Sequence, residues 1–213
     1  MRQRYIKDAK EKLMSSYAAI TDGKPYKGLW KKEVFKNNNE LHIEIGTGKG
    51  QFIFELAKRN PNINYLAIEK YDSVLLRLKE KLDTENLSNI HLLIMDATTI
   101  EEYFDNKEVD KIYLNFSDPW PKKAHAKRRL TSPLFLERYF NILSDEGTIT
   151  FKTDNRGLFE YSLETFANSK FSLYDISLDL HKDERYLDNI KTEYEEKWED
   201  KGPIYLLNAK KMK

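Results

Sequence analysis

The chain has 213 residues, 40% hydrophobic and 33% charged, with a formal net charge of +1. That length suffices for one domain with a real core, and the near-neutral balance means that any binding of a polyanion must rest on local charge clusters. Zero cysteines exclude disulfides, thiolate metal sites and a Cys nucleophile, and four scattered histidines (His42, His91, His125, His181) show no metal-ligand spacing, so no metal is expected.

The N-terminus, MRQRYIKDAKEKL, lacks the apolar core and cleavage site of a signal peptide, and no run reaches 18 apolar residues, so a cytoplasmic chain that does not enter membranes is expected. Residues 1–37 end in DGKPYKGLWKKEVFK, whose Gly, Pro and Lys predict an extended or looping arm before a single domain over 38–213. From residue 41 short apolar runs (LHIEIG, INYLAIE, IHLLIMD, KIYLNF, TITFKT) recur between stretches with helical spacing (FIFELAKR, VLLRLKEKL, LFLERYFNIL). The runs have mostly lost strict alternation, as strands buried on both faces do. This is the pattern of a doubly wound α/β fold with a mostly parallel sheet and helices on both faces. After Asn168, FSLYDISLDLH and PIYLLNAKK predict two long strands closing one sheet edge.

Gly46, Gly48 and Gly50 stand at the first strand-to-helix turn, in EIGTGKG. A dinucleotide fingerprint would place glycine at 51, where Gln51 stands, so the cluster alone is either a ligand cradle or a plain tight turn. Acids then recur along the strands: Glu44 within the first, Glu69 and Asp96 ending the second and third, Asp118 after the fourth and Asp154 after the fifth. In an open α/β sheet these positions face one crevice. Crowded carboxylates repel a pyrophosphate but suit S-adenosylmethionine, which brings a sulfonium, an ammonium and hydroxyl and amine donors. Glu69 is then expected on the ribose, Asp96 with Ala97 near the adenine, and Glu44 with the Gly46–Gly50 turn on the methionine side.

The fourth strand runs into NFSDPWPKKAHAKRR. Pro119 and Pro121 exclude a helix and predict extended backbone that fixes Asp118 and Trp120 at a loop mouth. Trp120 is either a stacking face for a base or a plug against the core. Lys122, Lys123, Lys127, Arg128 and Arg129 follow as a cationic ribbon. Asp154 is a target contact, the N-cap of a helix starting near Arg156, or both. Thr192 and Glu195 have capping-box spacing, and His181 is expected packed or hydrogen-bonded.

With EIGTGKG, IEK, MDA, LNFSDPWPKKAHAKRR, FKTDN and TEYEEKW in order, the chain from about residue 25 onward resembles the bacterial tRNA (guanine-N7)-methyltransferase family. The resemblance implies a Rossmann-like methyltransferase sheet of seven strands and methylation of a guanine in the tRNA variable loop, with S-adenosylmethionine as cofactor and tRNA as partner. It implies cofactor contacts at Glu44, Gly46, Glu69, Asp96 and Asp118, with Asp118 catalytic. Target contacts are implied at Lys122, Asp154, Thr192, Glu193, Tyr194 and Glu195, and RNA contacts at Ala124, His125, Ala126, Lys127, Arg128 and Arg129. Ala124 and Ala126 depart from the family, where further charges are common. A monomer or homodimer is expected. The alternatives are a methyltransferase for an exocyclic base amine, whose usual motif has two adjacent prolines, and a non-catalytic RNA-binding relative. A nicotinamide oxidoreductase fits neither the glycine spacing nor the acids.

Overall fold

The structure is a computed structural model that describes residues 6–212. One sheet organises it, in the order β1-β4-β3-β2-β5-β6-β8-β7. The strands are β1 (Ala19–Ile20), β2 (Leu41–Ile45), β3 (Asn64–Glu69), β4 (Ile90–Ile94), β5 (Val109–Asn115), β6 (Leu143–Thr153), β7 (Phe171–Ser177) and β8 (Tyr205–Lys211). All neighbours from β1 to β6 are parallel, and β8 pairs antiparallel with both β6 and β7. The expected closing pair is therefore β7 and β8. Strand order reverses at β2, which pairs with β3 on one side and β5 on the other; that switch point opens a crevice beyond the carboxyl ends.

Alternation along the strands divides the core. Leu41, Ile43, Ile45, Leu66, Ile68, Ile112 and Leu114 pack on α4 (Pro133–Ile142) and α5 (Arg156–Ala167). Tyr65, Ala67 and Leu92 point the other way, onto α1 (Ala9–Met14), α2 (Gln51–Arg59) and α3 (Asp72–Thr84). Helices thus cover both faces. The same alternation turns Glu44, Asn115 and Lys152 toward the α2 face.

The sheet has eight strands rather than seven, because residues 19–20 add a two-residue edge beside β4. Those residues belong to the segment read as an arm, which lies against the domain where it is described. Leu13 and Trp30 are fully buried, Trp30 stacks on Phe104 with ring centroids 5.6 Å apart, and its indole donates to Tyr103 O at 2.8 Å. Between β7 and β8 the chain makes a long excursion that carries α6 (Glu193–Trp198).

Candidate active site

The chain leaves β2 through Gly46, Gly48 and Gly50, all left-handed, with φ of 79°, 61° and 80°. A Cβ on Gly50 would sit 2.6 Å from the Leu78 side chain, so this glycine lets α2 pack on α3. At Gly46 and Gly48 a Cβ would meet nothing within 4 Å; these two glycines face open space. The turn is fastened to β3 by Gly48 N, which donates to Glu69 Oε2 at 3.1 Å. Lys70 N and Tyr71 N donate to Glu69 Oε1 at 2.8 and 3.3 Å, leaving this carboxylate part of its acceptor capacity.

Asp96 caps the turn that follows β4 by accepting from Thr98 N at 2.9 Å, and it pairs with Lys70 at 2.8 Å. Lys70, with the Thr98 donors, holds its carboxyl down to about 2. Asp118 is different. It is exposed and makes no hydrogen bond or ion pair among the described residues. Gly46, Glu69, Asp96 and Asp118 surround one cavity of about 890 Å³, whose apolar wall includes Ile45, Ile68, Met95 and Phe135 and whose cations include Lys70, Lys127, Arg128 and Arg138.

The loop that presents Asp118 departs from the extended backbone its prolines predict. Phe116 and Trp120 bracket the acid with φ of 51° and 41°, in a region that costs a bulky L-residue about 1–2 kcal/mol. The surroundings hold both. Phe116 N donates to Lys152 O at 2.8 Å, and Arg129 donates from Nε to Pro119 O at 3.0 Å and from Nη2 to Trp120 O at 3.1 Å. Trp120 is half-buried and stands in none of the apolar core clusters among the described residues. Its ring lines the cavity, meets His125 edge-on and lies 4.9 Å from the Arg128 guanidinium. Lys122, Lys123 and Lys127 are exposed on the ribbon, as is Ala124, while Ala126 is half-buried.

Glu44 does not line this cavity. It is buried on the α2 face, where Asn115 Nδ2 donates to Oε1 at 2.7 Å and Oε2 has no partner among the described residues. Burial pushes its carboxyl up to about 8, with Asn115 and Lys152 pulling the other way. Lys152, which is itself 1% exposed, donates to Glu195 Oε2 at 2.8 Å, Ile190 O at 3.0 Å and Asn189 Oδ1 at 3.2 Å. Glu195 Oε1 meets His181 Nε2 at 2.8 Å and Asn189 Nδ2 at 2.7 Å. Burial opposes the charge on Glu195, yet Lys152, His181 and Asn189 together hold its carboxyl below the ordinary value.

The other residues expected to contact the target lie at the start of α6 and just after β6. Thr192 Oγ1 caps α6 by accepting from Glu195 N at 3.0 Å, but Glu195 turns into the core rather than back to Thr192, so only half of the capping box forms. Glu193 accepts from Lys81 at 3.1 Å and ties α6 to α3. Asp154 accepts from Tyr194 OH at 2.9 Å; the N-cap of α5 is its neighbour Asn155, whose side chain accepts from Leu158 N at 2.8 Å. Asp154 is the wrong residue for that cap because an N-cap side chain must reach N–H groups two or three positions on. Lys152, Asn115 and Asn189 escaped the sequence reading. Their one signal is a lysine inside the apolar run TITFKT.

Comparison with known proteins bears on the whole chain. Residues 38–206 match a family model described as "Putative methyltransferase". A tRNA (guanine-N(7)-)-methyltransferase of Listeria monocytogenes is 52% identical over 207 residues, 97% of this chain and 95% of that protein. One from Lachnoclostridium phytofermentans is 51% identical, covering 98% of each chain. Among solved structures, an antibiotic-related methyltransferase aligns with a TM-score of 0.64 at 19% identity, over 85% of this chain and 92% of its own. A SAM-dependent O-methyltransferase from Thermotoga maritima aligns with 0.55 at 16%, over 100% and 68%; at such identities the likeness is one of fold.

Proposed function

The chain belongs to the tRNA (guanine-N7)-methyltransferase family, and from that membership we propose how its residues carry out S-adenosylmethionine-dependent methylation of guanine N7 in the variable loop of tRNA. The donor set fits the cofactor. Gly46 and Gly48 leave room for close backbone approach, and the carboxylates of Glu69, Asp96 and Asp118 suit a cation with several hydroxyl and amine donors. When bound, S-adenosylmethionine supplies a methyl group on a positively charged sulfur. Glu69 has acceptor capacity left for ribose hydroxyls, and Asp96 with Ala97 edges the part of the cavity assigned to adenine. Glu44, two residues before Gly46 and with Oε2 unpartnered among the described residues, supports the methionine side from within the sheet rather than from the cavity wall.

Guanine N7 has an in-plane lone pair and no proton, so the attack needs no general base; what it needs is alignment. Positive charge passes from sulfur to the purine during transfer. Asp118, fixed between two strained aromatic residues and free of partners among the described residues, stabilises that charge and accepts from the base's own donors. The exposed ribbon from Lys122 to Arg128 lies beside the same mouth, and its cations hold phosphates while the base enters. Tyr194, hydrogen-bonded to Asp154, approaches the cavity from the α6 side, its ring centroid 5.1 Å from that of Phe116 in the cavity wall.

The observation that carries this reading is Asp118: an exposed carboxylate, without a partner among the described residues, on the rim shared by the glycine cradle and the cationic ribbon. Incubation with tRNA and S-adenosylmethionine, followed by nucleoside analysis, should yield 7-methylguanosine. Asp118→Asn should slow single-turnover transfer by about 10²–10³-fold, as removal of a preorganised electrostatic group does, with no rise in rate through a separate base titrating near neutrality. Methylation of an exocyclic amine, or full-rate transfer by the Asn variant, would refute it.

A further inference from the structure

Arg129 ends the cationic ribbon, yet the Nε/Nη2 edge of its guanidinium is already engaged on backbone. Its Nε and Nη2 donate to the carbonyls of Pro119 and Trp120 at 3.0 and 3.1 Å, and its guanidinium lies 4.2 Å from the centroid of the Tyr161 ring on α5. Both carbonyls belong to the turn immediately after Asp118. That turn needs support, because Phe116 and Trp120 on either side of the acid are left-handed. Upstream, the Phe116 N to Lys152 O bond pins the loop to β6. Downstream, the fork of Arg129 holds it against α5. Arg129 is itself fixed in place, with its N–H on Ala126 O at 3.0 Å and its carbonyl accepting from Ser132 N at 2.9 Å.

We propose that Arg129 is a positioning residue for Asp118, clamping the Pro119–Trp120 turn so that the carboxylate is held on target, and that it is not a phosphate ligand. Bidentate capture of phosphate uses two parallel donors on one edge of the guanidinium. Here the Nε/Nη2 edge lies on backbone and one face lies on Tyr161, so only the Nη1/Nη2 end stays open, and a phosphate there would share Nη2 with the Trp120 carbonyl. Lysine cannot substitute, since a single ammonium lacks the planar fork that spans two successive carbonyls. The clamp also joins the RNA-facing ribbon to the reacting centre, as Lys127 and Arg128 line the cavity directly before it in sequence.

The proposal rests on the role assigned to Asp118, and a double-mutant cycle separates the two. Arg129→Lys, Asp118→Asn and the double variant would be assayed by single-turnover methyl transfer at saturating tRNA and S-adenosylmethionine. The salt dependence of tRNA binding would be measured for Arg129→Ala. Misplacement of the carboxylate should slow Arg129→Lys about ten- to a hundredfold. The double variant should be no slower than Asp118→Asn, because a clamp with no carboxylate has nothing to position. The salt slope of Arg129→Ala should match wild type. A phosphate ligand would behave otherwise: lysine would preserve the rate, and the slope of Arg129→Ala would fall by about one. Either result, or multiplicative losses in the double variant, overturns the clamp while Asp118→Asn remains slow. A full-rate Asp118→Asn would instead overturn the site reading beneath it. If the Arg129 variants fail to fold, Tyr161→Leu removes only the aromatic face behind the guanidinium; it should slow transfer with an unchanged salt slope, and an unchanged rate would refute the clamp.

Discussion

A carboxyl group enclosed on the face of a sheet, as Glu44 is, gains stability by keeping its proton. The folded chain holds that proton up to about pH 8, whereas the unfolded chain releases it near 4.5. Across that window the folded state binds more protons, so this residue's contribution falls as pH rises and is lost beyond its folded value. Glu44→Gln cannot titrate and can still accept from Asn115. Relative to wild type it should gain stability between about pH 5.5 and 8.5, by up to a few kcal/mol, in urea denaturation at both pH values. Parallel stability in the two proteins would mean that Lys152 keeps Glu44 ionised. The contrast with Glu69, Asp96 and Asp118 marks what the sequence discloses at this scale. Strand-end acids are legible because topology alone sends them to one crevice. Glu44 lies one residue before its strand's end, so it stays inside the sheet, where its buried side chain comes near a lysine over a hundred positions away.

At the level of elements, the βαβ rhythm and the closing pair of strands could be read because each of those strands carries a run of apolar residues. The eighth strand could not: Ala19–Ile20 is two residues long and exists only because β4 offers it an edge. The anchoring of α6 was hidden for a similar reason. Thr192 and Glu195 fit a local cap, and nothing nearby in sequence says that Glu195 instead meets Lys152, with 2% and 0% side-chain exposure in the pair. Removing one partner strands a buried charge, so Glu195→Ala should cost about 3–5 kcal/mol in chemical denaturation, and Lys152→Met in the same chain should recover much of it. A loss below about 1 kcal/mol, typical of an exposed pair, would show that water reaches this site in solution.

For the whole molecule, a net charge of +1 supplies no general attraction for tRNA, and the structure resolves this by segregating charge. Cations of the ribbon stand exposed beside a mouth edged by carboxylates, while much of the remaining charge is tied up in pairs such as Lys24–Glu102, Lys58–Glu85 and Lys107–Asp145. Arg129 drops out of the phosphate-binding set because it holds the loop, which leaves Lys122, Lys123, Lys127 and Arg128. If affinity comes from that patch, it must follow the number of phosphates the patch neutralises rather than the total charge. Each contact contributes ~0.7–0.9 to the slope of log affinity against log salt. Lys123→Ala with Lys127→Ala should therefore flatten the slope by about one and a half, measured by equilibrium binding across a salt series. Lys10→Ala with Lys12→Ala removes the same charge from the exposed side of α1 and should leave the slope unchanged. Equal flattening by both pairs would mean that tRNA senses the global field, and the ribbon would then have no special claim on the phosphates beside Asp118.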